Sequence, residues 1–398
     1  MKVSKRIKGV EYAIRDITLY ARSLEEKGRD ILYLNIGDPV LYDFKTPNHI
    51  KDALIDAVKK DKNYYPASEG ISELRNEIVS MESKKGMNLT RDDVIITNGV
   101  SEAISMVMAS ILDEGDEVLV PGPCYPPYSS YTNLFGGRTI EYKCDEDNKW
   151  MPDIDDLEKK ITDKTVAIVI INPNNPTGAV YNENILKKIA DLASSNSIYL
   201  IADEIYDRII FEDNFVSISK VAKDAPLIML NGFSKVYLMT GLRLGYLCMN
   251  DKVSNELKKE LPKLARLRIS SNMPVQYAAL EALRSNDDYI DEMVSKLRLR
   301  RDYIIKRIST IKGLKCVNPS GAFYAFPKID LTIGKWKSDL EFVKELLLET
   351  GVLTVNGSGF GREYGSNHFR IVYLPSLTIL EEAMNRLEAF MHKRLLMQ

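Results

Sequence analysis

Between about residue 50 and residue 290 the chain alternates short apolar runs with longer amphipathic stretches. The runs 94–97, 117–120, 166–171, 198–202, 227–230 and 245–249 are rich in Val, Ile, Leu and Met and read as buried strands. Stretches 102–112, 182–194 and 252–266 lie between them and carry apolar positions at helical spacing. This rhythm predicts an α/β fold whose large domain is a mostly parallel sheet sandwiched by helices. Ligands of such sheets gather beyond the carboxyl ends of the strands.

Past residue 273 the pattern changes. A long charged helical region at 274–310 leads to a strand at 321–327, a helix at 338–350 and a strand at 352–355. A glycine-rich turn at 357–361, a strand at 368–373 and a last helix at 379–396 follow. These elements predict a smaller α+β domain, formed by the C-terminal segment and the N-terminal arm. The expected division is 1–45 for the arm, 46–295 for the large domain and 296–398 for the small domain.

Charge and composition then narrow the partners. The formal net charge of -2, from 54 basic and 56 acidic residues, gives no electrostatic reason to expect nucleic acid or an acidic membrane surface. The 4 cysteines are dispersed without a CxxC pair, which fits a reducing compartment and argues against a structural zinc site. The N-terminus has no apolar signal core, and no apolar run approaches membrane-spanning length. A cytoplasmic chain is expected.

Candidate chemistry sits at the predicted strand ends. Ile228-Met229-Leu230-Asn231-Gly232-Phe233-Ser234-Lys235 delivers a lysine to the end of a strand, and Arg243 follows in Thr240-Gly241-Leu242-Arg243. A lysine so placed suits a Schiff base with a phosphorylated aldehyde, the arginine pairing with the phosphate. Asn175 lies in the turn Asn172-Pro173-Asn174-Asn175-Pro176-Thr177-Gly178, whose prolines restrict it; the same turn can be a plain rigid connection. Asp203 and Tyr206 follow strand 198–202. There a carboxylate can partner a pyridine nitrogen, or simply cap a helix. Val100 and Ser101 open a helix after Asn98-Gly99, either as an anion site or as an ordinary cap. Tyr125, set among prolines in Pro121-Gly122-Pro123-Cys124-Tyr125-Pro126-Pro127-Tyr128, can stack on a planar ring or lie on the surface.

In this order the phosphate turn, aromatic, Asn turn, Asp-x-x-Tyr, Ser-Lys and Arg resemble the class I/II aminotransferases, pyridoxal-phosphate enzymes of fold type I. The resemblance runs from about Val10 to Leu396 and is nearest the archaeal alanine aminotransferase branch. It implies pyridoxal 5'-phosphate as cofactor, Lys235 as its covalent partner and Asp203 as partner of the ring nitrogen. Asn175 and Tyr206 are implied as donors to the ring oxygen, Tyr125 as the stacking ring, and Val100, Ser101, Ser234 and Arg243 as the phosphate cup. The family commonly has serine three residues before the lysine, where this chain has Gly232. Arg370 and Gly37, with Asn175, are implied at the substrate α-carboxylate. Tyr65 is implied to reach the phosphate of a neighbouring subunit, which makes a homodimer the functional unit. Phe323, Tyr324 and the region of Tyr12 are expected near the substrate pocket. The implied reaction moves an amino group between alanine and 2-oxoglutarate. Aspartate or broad aromatic specificity, a lyase of the same fold, and a non-enzymatic cofactor-sensing regulator are the alternatives; the last would need a nucleic-acid-binding module.

Overall fold

The computed structural model describes residues 1–8, 13–212 and 215–397. Its centre is an eight-stranded sheet: β1 (Val94–Thr97), β2 (Glu117–Gly122), β3 (Arg138–Asp145), β4 (Met151–Pro152), β5 (Thr165–Ile171), β6 (Tyr199–Asp203), β7 (Leu227–Gly232) and β8 (Gly245–Met249). The spatial order is β1-β8-β7-β6-β5-β2-β3-β4. Neighbours from β7 through to β3 pair in parallel. β8 runs antiparallel to both β1 and β7, and β4 is antiparallel to β3.

Strand periodicity explains why the runs are continuously apolar. Ile168, Ile170, Leu200, Ala202 and Met229 point into one core, while Val169, Ile171, Ile201, Ile228 and Leu230 point into a second core on the other face. Helices Val100–Ile111 and Pro126–Leu134 cover the second face, with Met106, Val107 and Tyr128 buried there. Helices Ser72–Lys84, Glu183–Ser195 and Met273–Arg284 cover the first. The α/β sandwich expected from the rhythm is the observed architecture.

Several elements differ in detail. β3 escapes the sequence reading because its apolar positions are interspersed with charges, as suits a strand near the sheet edge whose one face is only half-buried. The stretch 252–266 is two helices, Asn255–Glu260 and Pro262–Leu267, because Pro262 starts a new one. The region 274–310 breaks between Met273–Arg284 and Asp288–Thr310, where Ser285 is extended. The expected strand 321–327 is confined to Tyr324–Ala325.

The expected strand 352–355 splits, and its halves serve different sheets. Val352–Leu353 pairs in parallel with Leu32–Tyr33 of the N-terminal arm, whereas Val355–Asn356 pairs with Phe369–Val372, which also carries Tyr324–Ala325. The smaller unit is thus built from both ends of the chain. No described helix is long and apolar enough to cross a membrane.

Candidate active site

The parallel strands β1, β2, β5, β6 and β7 end on one side of the sheet, and a cavity of about 510 Å³ opens there. Ile171 and Asn175 reach it from the end of β5, Asp203, Ile205 and Tyr206 from β6, and Ser234 and Lys235 from β7. Tyr125 arrives from beyond β2, and Val100 and Ser101 from the helix after β1. The arm adds Gly37 and Asp38, the turn before β8 adds Arg243, and the smaller unit adds Tyr324 and Arg370. Of the described residues singled out from sequence for the site, Tyr65 and Phe323 stand outside this cavity, Tyr65 being 79% exposed on the surface. Tyr12 lies outside the described residues. Phe323 is fully buried against Tyr206.

Asp203 closes strand β6 and is buried. No helix follows it; its Oδ1 accepts from the Ile205 amide at 3.2 Å, turning the chain back on itself. Its Oδ2 accepts from the Tyr128 hydroxyl at 2.9 Å. Burial pushes the carboxyl up to about 6, against the pull of those two hydrogen bonds and of Lys235. Tyr206 shares a 2.8 Å hydroxyl–hydroxyl contact with Tyr324. Burial, with Tyr324 and Asp203 close by, raises its phenol well above the ordinary range, so it stays neutral.

Lys235 Nζ donates to the Gly37 carbonyl at 2.5 Å. Gly37 is required at that point: a Cβ there would lie 2.3 Å from the Tyr324 hydroxyl and 2.9 Å from Phe323 Cε2. Burial pulls the Lys235 ammonium down to about 8, with Arg370 and Arg243 adding to the effect and Asp38 and Asp203 opposing it. Asp38 is itself fixed by Thr240 Oγ1 at 2.8 Å and the Val40 amide at 3.1 Å.

Arg370 is a buried guanidinium sandwiched between the rings of Tyr324 (4.5 Å) and Phe360 (4.7 Å). It donates to Asn175 Oδ1 at 2.8 Å and to the Asn35 carbonyl at 2.5 Å. Asn175 is held in turn by its loop, where Asn174 Oδ1 accepts from the Thr177 hydroxyl at 2.9 Å and amide at 3.2 Å. The Arg370–Asn175 bond ties a side chain of the smaller unit to the loop that follows β5.

Arg243 stands in the left-handed region (φ 55°) and its guanidinium lies over Gly99. Gly99 has φ 81°, and a Cβ on it would sit 2.5 Å from Arg243 Nη2. Its side-chain-free cap leaves the amides at the start of helix Val100–Ile111 without a capping hydrogen bond from Gly99. Gly232 has a physical reason to lack a side chain. It pairs with Gly245, and a Cβ would come 2.9 Å from Gly245 Cα and 3.0 Å from the Leu244 carbonyl oxygen.

Sequence reasoning missed Asp38, Tyr128 and Arg15. Tyr128 falls one helical turn after Tyr125, a spacing that turns it beneath the same site. Arg15 lines the cavity from helix Ala13–Glu25 and has no hydrogen bond or ion pair among the described residues. Nothing local in the sequence marks it.

A buried carboxylate, a depressed lysine, neutral phenol and amide donors, and an arginine over a glycine-capped helix start suit a flat pyridine ring bearing an aldehyde, a phenolic oxygen and a phosphate. The cradle at Gly99, which a methyl group would fill, fits the phosphate end. The class is therefore a pyridoxal-phosphate enzyme on an α/β sheet. Residues 29–387 match the model of the family described as aminotransferase class I and II. The alanine aminotransferase of Pyrococcus furiosus is 49% identical, with a TM-score of 0.95 over 98% of this chain and 100% of that one. The glutamate-pyruvate aminotransferase AlaA of Haemophilus influenzae is 40% identical over 98% of this chain and 97% of its own length. The alanine aminotransferase of Mycobacterium tuberculosis H37Rv is 38% identical over 98% and 92%. The chain belongs to the class I and II aminotransferase family and is a pyridoxal-phosphate-dependent aminotransferase.

Proposed function

We propose that the enzyme exchanges the α-amino group between L-alanine and 2-oxoglutarate, giving pyruvate and L-glutamate. The observation that carries this is the set of three guanidinium groups around Lys235, namely Arg243, Arg370 and Arg15. Each answers one anionic group: the cofactor phosphate, the substrate α-carboxylate and the distal carboxylate of 2-oxoglutarate or glutamate. Alanine leaves the third unfilled. Relatives named for alanine or glutamate–pyruvate transfer support the same pair.

Bound in the cavity, pyridoxal phosphate supplies the aldehyde that receives the amino group and a ring that accepts electrons from the Cα–H bond. Asp203 would hold the ring nitrogen, Asn175 and Tyr206 the ring oxygen, and Tyr125 the ring face. Val100, Ser101, Ser234 and Arg243 would hold the phosphate. Arg370 binds the α-carboxylate, and its two fixed hydrogen bonds and flanking rings leave it little freedom to turn. Gly37 lets the backbone approach the same carboxylate. Lys235 Nζ takes the proton from the substrate Cα, and its lowered basicity raises the neutral fraction available for that at physiological pH.

Exposed Tyr65 is assigned to a neighbouring subunit's phosphate in a homodimer, and the chain to the cytoplasm. Domains are assigned at 1–45, 46–295 and 296–398. The direct test adds alanine without a 2-oxo acid to the cofactor-loaded enzyme and follows loss of the pyridoxal absorbance. Conversion that 2-oxoglutarate then reverses is expected, whereas no conversion with alanine overturns the assignment.

A further inference from the structure

Among the described residues, the Asp203 side chain accepts two hydrogen bonds that hold its charge in a buried setting, and one of them comes from a side chain. That donor, Tyr128, is fully buried in the apolar core on one face of the sheet. Its helix, Pro126–Leu134, starts at Tyr125 on the cavity wall, and Thr132 Oγ1 donates to the Tyr128 carbonyl at 2.7 Å. One short helix thus supplies a ring to the cavity and a hydroxyl beneath it. Burial, then the Asp203 charge, raises the Tyr128 phenol well above its usual range, so the hydroxyl keeps its proton to donate.

We propose that Tyr128 is a positioning residue whose hydroxyl, through the 2.9 Å bond to Oδ2, holds Asp203 as an oriented anion and so keeps the cofactor's ring nitrogen protonated. The proposal rests on the reading of Asp203 as partner of that nitrogen. The other titratable groups acting with Asp203 are Cys124, Tyr206 and Lys235. Burial raises both the Cys124 thiol and the Tyr206 phenol well above their ordinary values, which leaves them neutral, and Lys235 is the cation. Once Lys235 is committed to the cofactor, Tyr128 is, among the described residues, the remaining side chain that stabilises the carboxylate charge. Removing its hydroxyl makes the carboxylate more basic. The shared proton then shifts: the ring N–H bond breaks and an Asp203 O–H bond forms, with no net change of charge.

The test uses holoenzyme loaded with pyridoxal phosphate labelled with ¹⁵N at the ring, titrated from about pH 6 to about pH 9. In wild type the nitrogen is expected to stay protonated over most of that range and to begin releasing its proton only at the alkaline end. In Tyr128→Phe its titration midpoint should fall by about one unit or more, and kcat with alanine about 10- to 100-fold, the scale of one hydrogen bond to a charged group. The KM for alanine should move less than about threefold, since Arg370 is untouched. Site-specific fluorotyrosine at 128, a stronger donor of nearly the same shape, should move the midpoint the other way and covers the case in which the phenylalanine variant folds poorly. Unchanged nitrogen titration in both variants overturns the proposal. Asp203→Asn separates the two readings. If that variant also leaves the nitrogen protonated, the Asp203 assignment fails; if it alone releases the proton, only the role of Tyr128 fails.

Discussion

Replacing Lys235 by methionine should remove a charge penalty that the cofactor-free protein carries at neutral pH and not at alkaline pH, although it also removes the central residue of the site. The ammonium is pulled from 10.5 to about 8 in the fold. Each unit corresponds to about 1.36 kcal/mol, so the native state loses at most roughly 3 kcal/mol by carrying that charge. Nζ borders an open cavity rather than dry core, which reduces the expected figure to about 1–2 kcal/mol. The sign follows from proton binding. Below about pH 8 lysine is charged in both states and the cost is full. Between about 8 and 10.5 the unfolded chain binds more protons than the native one, so wild-type stability rises with pH and the cost disappears. Methionine also forfeits the bond to the Gly37 carbonyl, but that bond is open to charged and neutral amine alike. It therefore shifts the two proteins' stability difference by a similar amount at every pH. The diagnostic is the change in that difference, read from thermal unfolding midpoints of both proteins without cofactor. The methionine variant should gain about 1–2 °C on wild type at pH 7 relative to its gain at pH 10.5. A difference that stays constant, or moves in the variant's favour as pH rises, would refute the reasoning.

Three other perturbations address the remaining corners of the cavity. Arg370→Ala should lower kcat/KM for every amino acid about 10²- to 10³-fold, the loss of a bidentate charged pair, and unchanged values in steady-state assays would exclude it from carboxylate binding. Arg15→Ala should raise the KM for 2-oxoglutarate and glutamate about tenfold while leaving the rate of the alanine half-reaction within about twofold, measured by stopped-flow absorbance; an equal effect on alanine would deny it a distal-carboxylate role. Gly99→Ala places a methyl group 2.5 Å from Arg243 Nη2 on a backbone with φ 81°. It should weaken cofactor binding about tenfold or more by fluorescence titration, and native affinity would show that the phosphate cradle tolerates a side chain.

What could be read from the sequence was what the sheet delivers locally. Asp203, Lys235 and the turn carrying Asn175 each follow directly on an apolar strand. Parallel strands end on one side, so motifs separated by dozens of residues arrive at one cavity without any knowledge of tertiary contacts. Helix joints are less legible. A proline inside a charged amphipathic stretch permits either a kink or a new helix, and only packing decides between them at Pro262. Strand β3 is hard to read because a half-exposed strand dilutes the apolar pattern with charge.

The groups that tune the chemistry belong to a different category, because their partners are remote in the chain. Tyr128 meets Asp203 across 75 positions, Lys235 meets Gly37 across 198, and Arg370 meets the Asn35 carbonyl across 335. No periodicity encodes such a pairing. It follows from the arm's strand Leu32–Tyr33 being drawn into the C-terminal unit beside Val352–Leu353, which brings Gly37 and Asp38 over the sheet. The arm then faces Lys235 with a carbonyl and a carboxylate, while Arg370 and Arg243 face it with positive charge. The basicity of the lysine is thus set by elements from both ends of the chain. A change that loosened the arm would expose Nζ to water, weaken the desolvation that lowers its pKa, and reduce the neutral fraction without touching any residue of the Ser-Lys motif.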